Sequence, residues 1–207
     1  MTQSSSRFLS DYCAAPFTLD TVNLTVDLDD TCTKVINEMK VSRQGEHNQP
    51  LILDGEQLTL ISVAINDKEL SADQYQLSDK QLSLKTEEDN FTLTVVTQIN
   101  PVDNTSLEGL FKSGDAFCTQ CEAEGFRRIT YMLDRPDVMA TYRTKVIGDA
   151  KAQPVLLANG NCVETGALEN GRHFAVWEDP FPKPCYLFAL VSGNLVALED
   201  SFTTMSG

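Results

Sequence analysis

Histidine is almost missing from this 207-residue chain. There are two, His47 and His173, and neither has a partner at metal-site spacing. No H-E-x-x-H, no H-x₃₋₅-H and no second C-x-x-C accompanies Cys118-Thr119-Gln120-Cys121, so the sequence offers no zinc-binding set of its own. A thioredoxin-type use of that C-x-x-C needs a βαβ context, which is absent too. Nor is there a G-x-S-x-G, a P-loop or a dinucleotide fingerprint. Tryptophan occurs once, at Trp177. Positive charge is scarce: sixteen Lys and Arg face thirty Asp and Glu, a net −14, which argues against nucleic-acid and anionic-membrane partners. No apolar run is long enough to span a membrane. Met1 to Ser6 are polar and lack the apolar stretch of a secretory signal. The expectation is a cytoplasmic protein whose six cysteines (Cys13, Cys32, Cys118, Cys121, Cys162 and Cys185) are reduced thiols. The sequons at Asn23, Asn90 and Asn104 then have no role in glycosylation.

What remains is β-rich. With 42% hydrophobic residues the chain can bury a substantial core. After an arm ending at Pro16, Val22, Leu24, Val26 and Leu28 alternate with polar residues, which is the period of a half-buried strand. Asp29-Asp30 turns the chain and Val35 to Val41 returns. Leu51 to Leu53 form a short run closed by Asp54-Gly55. Leu58 to Ile65 follows, and its alternation slips between Leu60 and Ile61, predicting a β-bulge before a turn at Asn66-Asp67. Tyr75 and Leu77 face Leu82 and Leu84 at hairpin spacing, and Phe91, Leu93 and Val95 make another strand. Further on, Ile129 to Leu133 and Tyr142 to Ile147 read as strands, with one helical turn from Pro136 through Met139 between them. Asn170-Gly171 joins Val163–Leu168 to His173–Trp177, the strongest hairpin signal present. Cys185 to Leu198 is the last apolar stretch. Without repeats, low-complexity tracts or linkers, residues 1–207 read as one all-β domain of antiparallel or mixed twisted sheets, in a saddle-like or sandwich arrangement. The stop at Ser206-Gly207 suggests a truncated chain.

The least ordinary segment runs from Ser106 to Arg143. Gly109, Gly114 and Gly125, two cysteines, three glutamates and Asp134-Arg135-Pro136-Asp137 crowd into it. It is too long for a plain connection and too rich in Phe, Leu and Cys for disorder, so it reads as one ordered, site-forming loop. Leu107-Glu108-Gly109-Leu110, Thr119 through Arg127, and Asp134 through Asp137 resemble the amino-terminal domain of the M1 family of zinc aminopeptidases. The resemblance continues in Asn170-Gly171-Arg172-His173 and in Asp179 through Phe188, and covers nearly the whole chain.

The resemblance implies a fragment of a hydrolase that removes amino-terminal residues from peptides. In the family a Gln-x-Glu segment reaches into the active-site cleft. Carried onto this chain, Glu122 would ion-pair with the substrate's free α-amine and Gln120 would line the first specificity pocket. Residue types alone do not distinguish Glu122 and Glu124 from a solvated acidic face, and Glu124 has no matching family role. The family's H-E-x-x-H with its downstream Glu, and its Gly-x-Met-Glu-Asn motif, are not in this sequence. The fragment would therefore hold no metal and no catalytic residue. The zinc that polarises the scissile carbonyl, and the glutamate that activates water, would belong to a catalytic domain that is this chain's partner in the full-length enzyme. The rival expectation is a stand-alone β-sandwich module binding protein or carbohydrate, which wants an exposed aromatic platform.

Overall fold

The computed structural model describes residues 8–206. The Met1–Ser6 stretch and Gly207 lie outside them. Strand β1 (Phe17–Asp27) and strand β2 (Thr33–Arg43) pair antiparallel, with a register shift between Leu19 and Thr21. Their turn is built by Asp29. Its carboxylate accepts the Thr31 and Cys32 amides, each at 2.9 Å, while Thr33 Oγ1 donates to the Asp29 carbonyl. Next come β3 (Leu51–Asp54), β4 (Thr59–Ile65), β5 (Lys68–Glu69), β6 (Tyr75–Leu77), β7 (Gln81–Leu84) and β8 (Asn90–Ile99). The slipped alternation in β4 is a register shift between Leu60 and Ser62 against β8. Asn66 and Asp67 both adopt left-handed φ at the β4–β5 turn, a conformation their short polar side chains tolerate. The two-residue β5 is not legible in the sequence.

The second half holds β9 (Gly109–Ser113), β10 (Ala116–Gln120), β11 (Met139–Asp149), β12 (Val155–Ala158), β13 (Asn161–Ala167), β14 (Arg172–Pro184) and β15 (Leu190–Gly193). One eight-stranded sheet runs β13-β14-β11-β1-β2-β8-β4-β5, a four-stranded sheet runs β12-β15-β10-β9, and a three-stranded sheet runs β3-β7-β6. The pairing is antiparallel throughout, except that β1 and β11 run parallel at the centre of the large sheet. The molecule is all-β. A continuous core joins the sheets, with Phe17, Met39, Leu93, Phe117 and Phe126 all at 1% exposure or less.

Several expectations change. The Ser106–Arg143 stretch is not one loop, because its first part is the β9–β10 hairpin, turned on Gly114 at φ +60°. Ile129 to Leu133 is not a strand. This buried segment crosses the face of the large sheet, where the Ile129 carbonyl accepts Thr97 Oγ1 (3.3 Å) and the Tyr131 carbonyl accepts Asn37 Nδ2 (3.2 Å). Its one ladder pairing among the described residues is the Asp54–Met132 bridge to the end of β3, and side chains satisfy the Ile129 and Tyr131 carbonyls. The turn at Pro136 closes at Val138, whose amide reaches the Arg135 carbonyl, and Met139 already belongs to β11. The Asn170-Gly171 hairpin is present, with both residues at left-handed φ, but its second strand continues to Pro184. Beyond β15, residues 194–206 form no strand.

Candidate substrate-binding site

Gln120 is the last residue of β10, and the chain then makes a tight turn into a 3-10 turn at Phe126–Arg128. Thr119 secures the end of β10: its hydroxyl donates to the Leu190 carbonyl (3.0 Å) and accepts the Leu190 amide (2.8 Å). Cys121 points into the core at 3% exposure, and the Gly125 amide closes the turn onto the Cys121 carbonyl at 2.8 Å. Gly125 is required by space. A Cβ there would collide with the Gln120 carbonyl oxygen and meet the Gly109 nitrogen at 3.0 Å. Gly109, at φ +72°, lies as tightly against Arg128.

This packing leaves the two anticipated residues together and facing outward. Gln120 and Glu122 are both exposed, and Gln120 Nε2 donates to the Glu122 carbonyl at 3.1 Å. The Glu122–Ala123 peptide is cis. Among the described residues the Glu122 side chain has no hydrogen bond or ion pair, so its carboxylate is free for a cation. Glu124 differs: it pairs with Arg127 Nη1 at 3.3 Å and braces the turn.

Two arginines hold the turn from behind. Arg127 Nε and its backbone amide both donate to Asp134 Oδ2, at 2.9 and 3.2 Å, and its carbonyl accepts the Glu56 amide. Arg128 reaches Glu56 and Glu108, each at 3.0 Å, tying the turn to the β3–β4 and β8–β9 connections. The Cys185 thiol donates to Asp134 Oδ1 at 3.0 Å, and Phe126 packs edge-on against Phe188. Burial, reinforced by the Asp134 charge, pushes the Cys121 thiol up to about 12, and the Cys185 thiol rises further for the same causes. Both are protonated packing groups, not nucleophiles. Sequence reading singles out Asp134 only as part of the Asp134–Asp137 run, and its role as a hub is not legible there, since an acid seven residues past an arginine carries no periodic signal.

The remaining candidates are structural. His47 Nε2 lies 2.8 Å from the Pro16 carbonyl and His173 Nε2 lies 2.6 Å from the Gln153 carbonyl. Trp177 is half-buried and donates to the Leu156 carbonyl, so it is no open platform. A cleft of about 790 Å³ beside Arg43, His47 and Lys85 shares no residue with the 120–128 turn. Its arginine is spent on Thr86, Asp89 and His47. Among the described residues no three His, Cys, Asp or Glu side chains gather as a metal site, so this chain's own residues do not fit a zinc ion.

Sequence and fold together place the chain in a known class. The profile of the peptidase M1 N-terminal domain aligns with residues 18–187, and the chain belongs to that family. It is 50% identical over 205 residues to aminopeptidase N of Escherichia coli (strain K12), covering 99% of this chain and 23% of that protein. It is 51% identical over 199 residues to aminopeptidase N of Caulobacter vibrioides, again covering 23% of the relative. A crystal structure of Legionella pneumophila aminopeptidase A in complex with aspartic acid superposes with a TM-score of 0.87 at 36% identity. That match covers 92% of this chain and 23% of the other. The chain thus spans about a quarter of the length of these relatives.

Proposed function

We propose that the full-length protein carrying this chain is a cytoplasmic zinc aminopeptidase, and that this domain supplies its reader of the substrate's free amino terminus. The observation that carries the reading is the unpaired Glu122 carboxylate beside Gln120, on a turn braced from behind by two arginines. An exopeptidase must tell an α-ammonium from a peptide nitrogen. A carboxylate that spends no interaction on its own protein does so, provided a facing wall excludes water. Two unit charges about 4 Å apart attract by about 4 kcal/mol at an effective dielectric near 20, before desolvation is counted. Gln120 lies beside Glu122 and lines the pocket for the first side chain. In this reading the facing wall, the residues that bind zinc and the group that activates water come from outside this chain. Zinc, where bound, polarises the scissile carbonyl.

The test is Glu122→Ala in the full-length enzyme, with the Km and kcat of free-amine aminoacyl-arylamides compared with inhibition by amine-capped ligands. Loss of one partner of a desolvated charge pair should lower kcat/KM for free-amine substrates by about tenfold to several hundredfold. Affinity for capped ligands should hardly change. Equal losses for both ligand classes would show that Glu122 supports the turn and does not read the amine.

A further inference from the structure

The Glu122 side chain makes no hydrogen bond or ion pair among the described residues, so the backbone of the 121–125 turn sets the place from which the carboxylate is presented. Among the contacts that brace that backbone from behind, one ends on a buried charge. Asp134 is 4% exposed and both of its carboxylate oxygens are occupied. Oδ2 accepts Arg127 Nε and the Arg127 amide, Oδ1 accepts the Cys185 thiol, and the Asp134 carbonyl accepts Arg127 Nη2 at 3.3 Å. Two other acids face the same guanidinium: Asp54 at the end of β3, at 3.9 Å, and Glu124 inside the turn, at 3.3 Å. Asp134 holds one side of the guanidinium from the core, while Glu124 holds another from within the turn. With that charge removed, the guanidinium is left to Asp54 and Glu124. The second of these stands two residues from Glu122, so a change in what the guanidinium binds acts close to the anchor.

We propose that Asp134 is a positioning residue for amine recognition, setting through Arg127 the place at which the turn presents Glu122. This rests on Glu122 being the amine anchor, and the experiment separates the two. In the full-length enzyme, kcat and KM for a free-amine aminoacyl-arylamide are measured for Asp134→Asn, Glu122→Ala and the double variant. Inhibition by an N-acetylated ligand is measured in parallel. Asp134→Asn keeps the shape and removes the charge. It should raise KM for the free-amine substrate about tenfold or more, since small displacements of a binding group are costly, while kcat falls less. Capped-ligand affinity should hold. In the Glu122→Ala background the same substitution should change KM by less than about twofold, because the two act as one unit. Additive losses in both backgrounds would overturn the positioning role and leave the anchor standing. A Glu122→Ala enzyme with unchanged amine selectivity would overturn both. Should Asp134→Asn fail to accumulate folded, Arg127→Lys keeps the charge opposite Asp134 and loses the bond to its carbonyl. It must show the same non-additivity, and additive behaviour would overturn the proposal equally.

Discussion

Asp137 shows how much one side chain ties together in this chain. Its carboxylate takes Arg135 Nε at 2.8 Å and Tyr12 Oη at 3.0 Å, and Arg135 in turn donates to the Cys13 carbonyl. The amino-terminal arm is therefore fastened from residue 12 onward. The Arg135 hydrogen bond, partly opposed by burial, holds the Asp137 carboxyl below its ordinary value of 3.8. A depressed carboxyl contributes stability that is present above the unfolded value and lost as pH falls through the folded one, because the unfolded chain binds the proton first. Asp137→Asn should therefore lower stability at pH 7 and flatten the loss on acidification below about pH 4. Urea titrations at pH 7 and pH 3 check this, and an unchanged acid limb would contradict it. Glu124 is a second residue-scale case. Its ion pair with Arg127 is largely exposed, and such pairs are worth about 0–1 kcal/mol. Glu124→Ala should thus cost far less activity than Glu122→Ala in the same kinetic assay.

At the scale of elements, the β9–β10 hairpin and the turn after it depend on glycines for different reasons. Gly114, at the hairpin tip, has nothing within 4 Å of where a Cβ would stand, and only its φ of +60° favours glycine. Gly125 has ordinary helical φ but no room, wedged against the Gln120 carbonyl and the Gly109 nitrogen. Gly114→Ala should cost about 1 kcal/mol from left-handed strain. Gly125→Ala should cost about 2–3 kcal/mol, because rigid backbone on both sides must move. Denaturant midpoints of the two variants measure the difference, and equal losses would mean that the turn is softer than its packing implies. The hairpin was missed in the sequence because its strands are short and interrupted by polar residues, so no clean period of two emerges. By contrast, Phe91, Leu93 and Val95 of β8 alternate cleanly with polar residues, and the burial keeps that period to Ile99 with each odd position buried.

For the whole molecule, the family's activity and this chain's residues are separable. His47 and His173 are bonded to carbonyls, Cys121 and Cys185 are buried as thiols, and no group of His, Cys, Asp and Glu that could hold a metal gathers among the described residues. The 207-residue chain by itself should neither retain zinc after chelation and reloading nor cleave an aminoacyl-arylamide. Elemental analysis and a fluorogenic assay test both. One zinc per chain, lost on Cys118→Ser, would show that the C-x-x-C had been wrongly dismissed.

Local sequence determined much of this protein. Alternation located most of the strands, Asn66-Asp67 and Asn170-Gly171 declared their turns, and the slip at Leu60 announced a bulge. Residue order also carried the family. Those features are local, because strand period and turn chemistry act over a few neighbours. Only tertiary structure decided that β1 and β11 run side by side in parallel, that Ile129 to Leu133 crosses a sheet face instead of joining it, and that Asp134 gathers Arg127 and Cys185. Each of these joins residues that sequence spacing leaves unrelated. Thr97 and Ile129 stand 32 positions apart and Asp134 and Cys185 stand 51 apart, and burial without water is what obliges their polar groups to find one another.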